Sequence, residues 1–150
     1  MPTSTTQTRK TKYRWLQTAL YTFVIILLLV VLLIPGVLRL IYRADSQVAL
    51  GNAKSVRVAF QVIGTEEYGR NGTLCDVSQT GGVREGLYEE IIKLSKVPGD
   101  FWVLQTDETG YKIQKFVYTE GEYTVWYDAD GTSPYKVYHE EMLIDTQTDW

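Results

Sequence analysis

The chain has few of the residues that build covalent or metal-stabilised sites. Among its 150 residues, Cys75 is the single cysteine and His139 the single histidine. One cysteine excludes an internal disulfide framework, so a disulfide between two chains is the only pairing that remains open for Cys75. One histidine and one cysteine, far apart in sequence, do not favour a zinc centre or a Cys–His nucleophile.

Acidic residues are missing from the first 43 residues, which carry six Lys or Arg and hence a charge of +6. Residues 44–150 carry nine Lys or Arg against eighteen Asp or Glu, a charge of −9. Because an acidic surface repels a phosphate backbone, we expect this C-terminal part to bind no nucleic acid directly. A basic segment ahead of an apolar run is instead typical of a membrane topology signal.

Charge is also absent from the 24 residues between Arg14 and Arg39. As a helix at ~1.5 Å per residue they would span about 36 Å, more than the ~30 Å hydrocarbon core of a bilayer. We therefore predict a basic cytoplasmic segment at 1–14 and a transmembrane helix at 15–41. The run is too long for a cleaved signal peptide and lacks a small-x-small site at its end. Four basic residues before the run, against two directly after it, favour a cytoplasmic N-terminus and an extracytoplasmic C-terminal part.

The apolar pattern resumes directly after Pro35 and Gly36, so this pair is predicted to kink the helix and not to end it. Apolar residues then recur at intervals of four, three, four and three residues, which is the spacing of one face of an amphipathic helix. The residues of this stripe, predicted to seat a compact head, are Ala49, Ala53, Val56, Phe60 and Ile63. The helix is expected to end near Gly64.

The rest of the chain predicts a small α+β head. After a glycine-rich loop, residues 85–95 have the pattern of a short helix, which Pro98 and Gly99 would stop. Alternating apolar and polar residues, separated by turn sequences, then predict strands at 101–106, 111–119, 122–128 and 135–140. The predicted fold class is therefore α+β, with a long N-terminal helix, part transmembrane and part amphipathic, packed on a small antiparallel β-meander beside a short second helix. The head is expected to cover 42–140, followed by a loosely held C-terminal tail at 141–150 in which Trp150 could dock.

The stretch "IPGVLRLIYRADSQVALGNAKSVRVAFQ" combines a proline at the end of an apolar run with an alanine-rich helix. It resembles the N-terminal helix of type IV pilins and pseudopilins, in the form found in Gram-positive bacteria. The matching positions are Pro35, Leu38, Ala44, Ala49, Leu50, Ala53, Val56 and Ala59. The resemblance covers about residues 13–128, and the sequence "EGEYTVWYD" is similar to the short hairpin that closes such heads.

The resemblance implies a structural or assembly subunit of a type IV pilus, a secretion pseudopilus or a DNA-uptake filament. Its partners would be the lipid bilayer and other pilin-like subunits or their assembly machinery. Its location would be the cell membrane, as a single-pass protein, and surface filaments. The residues expected to anchor and pack the subunit are Ala19, Leu20, Phe23, Ile26, Leu29, Leu33, Pro35 and Gly36.

The chain departs from the family at the prepilin peptidase site. The family has a glycine there and a glutamate shortly inside the apolar run, whereas here no glycine precedes Gln17, which stands at the glutamate position. In the family, that glutamate pairs with the N-terminal amine of a neighbouring subunit. The resemblance therefore does not carry cleavage, N-methylation or polymerisation by the usual route over to this chain. An uncleaved, membrane-anchored extracytoplasmic binding module is the alternative function.

Other chemical signals are weak. Asp128 and Asp130 could begin a calcium loop, but the spaced later carboxylate of an EF-hand is missing and a hairpin turn explains Asp-Gly without a metal. No nucleophile–base, metal or phosphate-binding pattern stands out, so we expect neither a cofactor nor an enzyme. Aromatic residues are dense between residues 101 and 138. Core filling explains most of them, and an exposed subset could bind carbohydrate or a partner.

Overall fold

A computed structural model of the protein describes the backbone of residues 6–144 and the side chains of residues 13–144. The chain divides into two compact units that meet between Ile41 and Tyr42. The predicted fold class is confirmed, because a long N-terminal helix and a short second helix accompany a five-stranded antiparallel sheet. The predictions for the side chains of residues 1–12 and for residues 145–150, Trp150 included, lie outside the described residues.

The first helix, α1, extends over Thr6–Gly69, and Pro35 lies inside it. In the first unit, the described side chains of α1 are predominantly apolar and all exposed. The hydroxyl groups of Thr18 and Thr22 donate hydrogen bonds of 2.9 Å to the carbonyl oxygens of Arg14 and Thr18. These polar side chains are thereby satisfied within the helix, which is what a polar group needs in an apolar environment.

In the second unit, α1 ends at Gly69, five residues after the predicted end at Gly64. Its end is a Schellman motif, in which Asn71 has a positive φ of 53°. The N–H groups of Asn71 and Gly72 donate to the carbonyl oxygens of Tyr68 and Glu67. The stop signal in the sequence is therefore Asn71, because asparagine tolerates the left-handed conformation that follows a helix.

Gly64 does not end the helix, since one glycine in a helix interior costs only about 1 kcal/mol relative to alanine. Its role is to allow a close approach of two backbones. A Cβ atom at this position would lie 2.4 Å from the carbonyl oxygen of Tyr111. The segment before the second strand can therefore lie directly against α1.

The second helix, α2, covers Leu87–Ser95 and begins two residues later than predicted. Lys96 follows it with a φ of 54° and donates its backbone N–H to the carbonyl oxygen of Ile92 at 2.9 Å. The loop between the helices, predicted from its glycines, contains one 3₁₀ turn at Thr80–Gly82. This turn lies against the sheet, because a Cβ atom on Gly82 would be 2.7 Å from the carbonyl oxygen of Val103.

The sheet is an antiparallel meander in which neighbours in sequence are neighbours in space. Its strands are β1 (Asp100–Thr106), β2 (Ile113–Glu120), β3 (Tyr123–Asp128), β4 (Tyr135–His139) and β5 (Met142–Ile144). Four of them were predicted to within two residues at each end. The fifth, β5, was not predicted, because three residues are too few for a periodic signal. Gly121, with a φ of 58°, makes the tight turn between β2 and β3.

The core lies between one face of α1 and one face of the sheet. The ring of Phe60 contacts the rings of Phe101 and Phe116 edge-on, with centroids 5.0 and 5.3 Å away. Leu87 and Ile91 of α2 are buried in the same cluster. Aromatic pairs at these distances and angles add to the stabilisation that burial alone provides.

Candidate functional site

The apolar half of α1 is the most exposed hydrophobic part of the molecule. Within the described residues, one helix is long and apolar enough to cross a membrane, and it lies near the N-terminus. This helix is compatible with single-pass membrane anchoring. All the side chains expected to anchor and pack the subunit lie here and are exposed, namely Ala19, Leu20, Phe23, Ile26, Leu29, Leu33, Pro35 and Gly36.

The stripe predicted to seat the head lies in the core of the second unit. Each of its residues is at most 2% exposed, the set being Ala49, Ala53, Val56, Phe60 and Ile63. Alanines near the start of the stripe and larger residues near its end fill the space between α1 and the sheet. This half of α1 therefore acts as part of the head's core.

The other side of the same helical segment carries an apolar surface that the head leaves uncovered. Val48, Gly51, Ser55, Val58 and Val62 are spaced three and four residues apart, and all five are exposed. We call these residues the open face. Between its end and α2 lies a groove of 380 Å³. A Cβ atom on Gly51 would have no neighbouring atom within 4 Å. Small residues between valines are what allow two helices to approach closely.

A polar network ties α1 to the sheet. One carboxylate oxygen of Glu120 accepts hydrogen bonds from Asn52 on α1, at 2.7 Å, and from the hydroxyl of Tyr118, at 2.8 Å. The Tyr118 hydroxyl in turn accepts the backbone N–H of Gly99 at 3.2 Å. Burial, with the bond to Glu120 acting in the same direction, raises the pKa of Tyr118. The hydrogen bonds link α1, β2 and the residue before β1, which is typical of a structural anchor.

A buried carboxylate fixes the loop that follows α1. Glu67 is 1% exposed, accepts a hydrogen bond from Arg84 and lies 3.5 Å from the guanidinium of Arg70. A Cβ atom on Gly72 would collide with this carboxylate, so a larger residue there would have to displace it. No sequence pattern predicts this pair, because Arg84 is 17 residues from Glu67.

His139 lies among aromatic rings in the part of the head where α1 enters it. Its ring centroid is 4.4 Å from that of Tyr42 and 5.0 Å from that of Tyr123. Its Nε2 atom is 3.1 Å from the carboxylate of Glu122. Cys75 is far from it in sequence and half-buried, and burial raises the pKa of the Cys75 thiol to about 11. The thiol is therefore protonated at neutral pH and a weak nucleophile.

The candidate calcium residues form a turn. One oxygen of Asp128 accepts the backbone N–H of Asp130 at 3.1 Å, and the other is 2.9 Å from the ammonium of Lys115. The hydrogen bond from Lys115 is the main reason why the pKa of Asp128 is lowered. Among the described residues, no group of three or more His, Cys, Asp or Glu is placed to hold a metal ion. Both carboxylate oxygens of Asp128 are thus already engaged by groups of the protein.

Exposed aromatic residues lie on the side of the sheet away from α1. Trp102, Val117, Trp126 and Lys136 face one another across β1 to β4. Both tryptophans are nearly half exposed, as is Leu104. We call these five residues the outer sheet face. They include Trp102 and Trp126, which belong to the exposed aromatic residues that could bind carbohydrate or a partner.

A second exposed region is a groove of 390 Å³ between the last turns of α1 and the start of β2. It is lined by the cationic side chains of Arg57 and Lys112 and by the rings of Tyr68 and Tyr111. We call it the basic groove. Sequence analysis missed it, because its walls are separated by more than 40 residues and meet only in the folded head.

No family model, no curated protein and no solved structure matches this chain. The function must therefore be inferred from the surfaces described above. The expectations of no enzyme activity and no cofactor stay predictions.

Proposed function

We propose that this protein is a pilin-like structural subunit, anchored in a membrane by the first half of α1 and assembled with copies of itself through the open face. It would serve a type IV pilus, a secretion pseudopilus or a DNA-uptake filament. Before assembly, the subunit is held in the bilayer with the apolar first half of α1 in lipid. It later buries the same half against neighbouring subunits, which are similarly apolar.

The observation that carries the proposal is the open face. A soluble head that acted alone would gain nothing from valines at 48, 58 and 62 on the solvent side of a helix. These three side chains and the small residues Gly51 and Ser55 together suit a second helix at close distance. The same alternation of intervals recurs earlier in α1, at Ala19, Phe23, Ile26, Val30 and Leu33.

Disulfide cross-linking in membranes tests this assembly. The full chain carrying Cys75→Ser and Val58→Cys should form a disulfide-linked dimer on mild oxidation. The matched control, Cys75→Ser with Val77→Cys, places a thiol at an apolar position in a loop of the head that is more exposed than Val58, 74% against 57%. It should give only the background that random collision produces. Equal dimer yields from the two variants would refute packing through the open face.

A second candidate function is an uncleaved, membrane-anchored binding module. The observation that favours it is the pair of exposed aromatic sites on the head, the outer sheet face and the basic groove. A stationary anchor needs no peptidase glycine, and this chain has none before Gln17.

Mass spectrometry of the protein from its native host separates the two candidates. Loss of the basic segment, with recovery of the protein in sheared surface filaments, would support assembly. An intact chain found solely in the membrane fraction, without the Val58→Cys cross-link, would support the anchored binding module. Neither outcome needs knowledge of a ligand.

A further inference from the structure

We propose that the basic groove binds a carboxylate-bearing sugar of an acidic polysaccharide. This inference deepens the second candidate function and rests on it only for the biological role. A filament subunit could carry the same site.

The charge of the groove is opposite to that of the head around it. Residues 44–150 carry nine Lys or Arg against eighteen Asp or Glu. The described residues that line the groove nevertheless include Arg57 and Lys112 and no acidic residue. Two cations without a carboxylate, in an otherwise acidic head, create a local site for an anionic group.

Arg57 is held in place by two tyrosines of the sheet, because its guanidinium also lies close enough to Tyr135 to oppose the rise in pKa that burial causes there. Its guanidinium lies over the ring of Tyr127, 4.8 Å from the centroid, and the side chain is half-buried. A planar guanidinium that is already oriented can offer two parallel N–H groups to one carboxylate. Lys112 is exposed and adds a point charge from the other side of the groove.

The groove also has surfaces for a sugar ring and its hydroxyl groups. The rings of Tyr68 and Tyr111 meet at 90° with centroids 5.3 Å apart, and Tyr68 is 68% exposed. The hydroxyl of Tyr111 donates to the carbonyl oxygen of Gly72 at 2.7 Å, so this ring cannot turn away. The exposed ring of Tyr68 is free to stack on the apolar face of a sugar. Gln61 and Thr65, also on the wall, offer polar groups to its hydroxyls.

The shape of the groove agrees with a polysaccharide. Its volume of 390 Å³ lies within the range of small-molecule sites, ~300–1,000 Å³. Its floor is apolar, formed by Phe60 and Ile113, while Gln61, Thr65, Tyr68 and Lys112 are all exposed. A cleft with exposed walls admits one residue of a longer chain.

Calorimetric titration of the full chain in phosphatidylcholine nanodiscs tests the proposal, with a galacturonic acid hexamer as the probe. We expect the hexamer to bind, and its methyl ester, which lacks the charge, to bind at least about tenfold more weakly. A glycerol phosphate oligomer and a short single-stranded DNA identify binding of phosphate instead of carboxylate. Failure of the hexamer to bind at millimolar concentration would overturn the proposal. So would equal binding of the ester, or tighter binding of either phosphate probe.

Variants locate the site. Lys112→Glu should weaken binding of the hexamer about tenfold, and Tyr68→Ala about fivefold. Lys93→Glu on α2 makes the same change in charge outside the groove, and Trp102→Ala removes an exposed ring from the outer sheet face. Both controls should bind within about twofold of the parent chain. If Lys93→Glu weakened binding as much as Lys112→Glu, the effect would be one of overall charge and the site would be wrong.

The result of the glycan-binding titration does not depend on whether the protein assembles into filaments. The Val58→Cys cross-link depends on the open face, whereas none of these substitutions touches it. Loss of glycan binding with an intact cross-link would reject the groove alone. Glycan binding without a cross-link would retain the groove and reject the filament.

Discussion

The two halves of α1 share a secondary structure and differ in how their apolar residues are arranged. In residues 13–41 the described side chains are exposed on every side of the helix, and most are apolar. In residues 42–69 apolar side chains form a buried stripe on one side of the helix and, with Gly51 and Ser55, the open face on the other. A helix that packs on a sheet needs one apolar stripe, whereas a helix surrounded by hydrocarbon needs apolar residues all round.

This difference shows that the arrangement of hydrophobic residues decides where each half can reside. The described side chains of the first half are all exposed, which is compatible with a membrane-spanning segment. The second half already satisfies its stripe within the head. The open face is then the part of the second half whose apolar residues are not explained by packing within the head. In having exposed apolar side chains there, the second half resembles the first.

The largest expected contrast comes from truncating a large side chain in each half. Phe60→Ala should lower the free energy of unfolding of the head by about 3–5 kcal/mol, because it leaves a cavity beside Phe101 and Phe116. Leu27→Ala should change it by less than about 0.5 kcal/mol. Urea unfolding of the full chain in detergent, followed by near-ultraviolet circular dichroism, measures both. A comparable loss for Leu27→Ala would mean that the first half belongs to the head's core.

An arginine placed in each half of α1 tests the comparison through its effect on membrane insertion. Ile26→Arg should make membrane insertion less favourable by about 2.5–3.5 kcal/mol, because an arginine near the middle of a span is poorly solvated. Val58→Arg should leave insertion unchanged. The fraction of chains inserted can be read from engineered glycosylation sites on both sides of the span. Equal insertion of the parent and Ile26→Arg would remove the reason for assigning this half to lipid.

The buried carboxylate at the end of α1 gives a smaller effect. Glu67→Gln should destabilise the head by about 1–2 kcal/mol, since the side chain of its partner Arg84 is 42% exposed and water screens the pair. The neighbouring exposed Glu66→Gln is the matched control and should change stability by less than about 0.5 kcal/mol. The midpoint of urea unfolding measures both. Faster amide exchange at Gly72 in Glu67→Gln alone would locate the loss in the loop.

The sequence was enough to predict features that depend on local periodicity. The stripe from Ala49 to Ile63 was found because its spacing follows the helical repeat, and the first four strands because their residues alternate. The α+β fold class followed from the order of these elements.

Features that depend on contacts between distant residues were missed. The pair of Glu67 and Arg84, the basic groove and the strand β5 arise only when separate elements meet. The open face could have been found from sequence, since it has the same spacing as the stripe. Ser55 and Gly51 interrupt its valines, which weakens the apolar signal on that side of the helix.

The smallest expected changes in stability come from two Gly→Ala substitutions, one on each side of the second half of α1. Gly51→Ala should stabilise the head by about 0.5–1 kcal/mol, because alanine restricts the unfolded chain and an added Cβ atom meets nothing within 4 Å. Gly64→Ala should be destabilising despite the same gain in helix propensity, since its Cβ atom would lie 2.4 Å from the carbonyl oxygen of Tyr111. Thermal unfolding of both variants gives the sign directly. The two substitutions would then change stability in opposite directions, because only Gly64 lies against the segment that precedes β2. A stabilising Gly64→Ala would contradict this close packing.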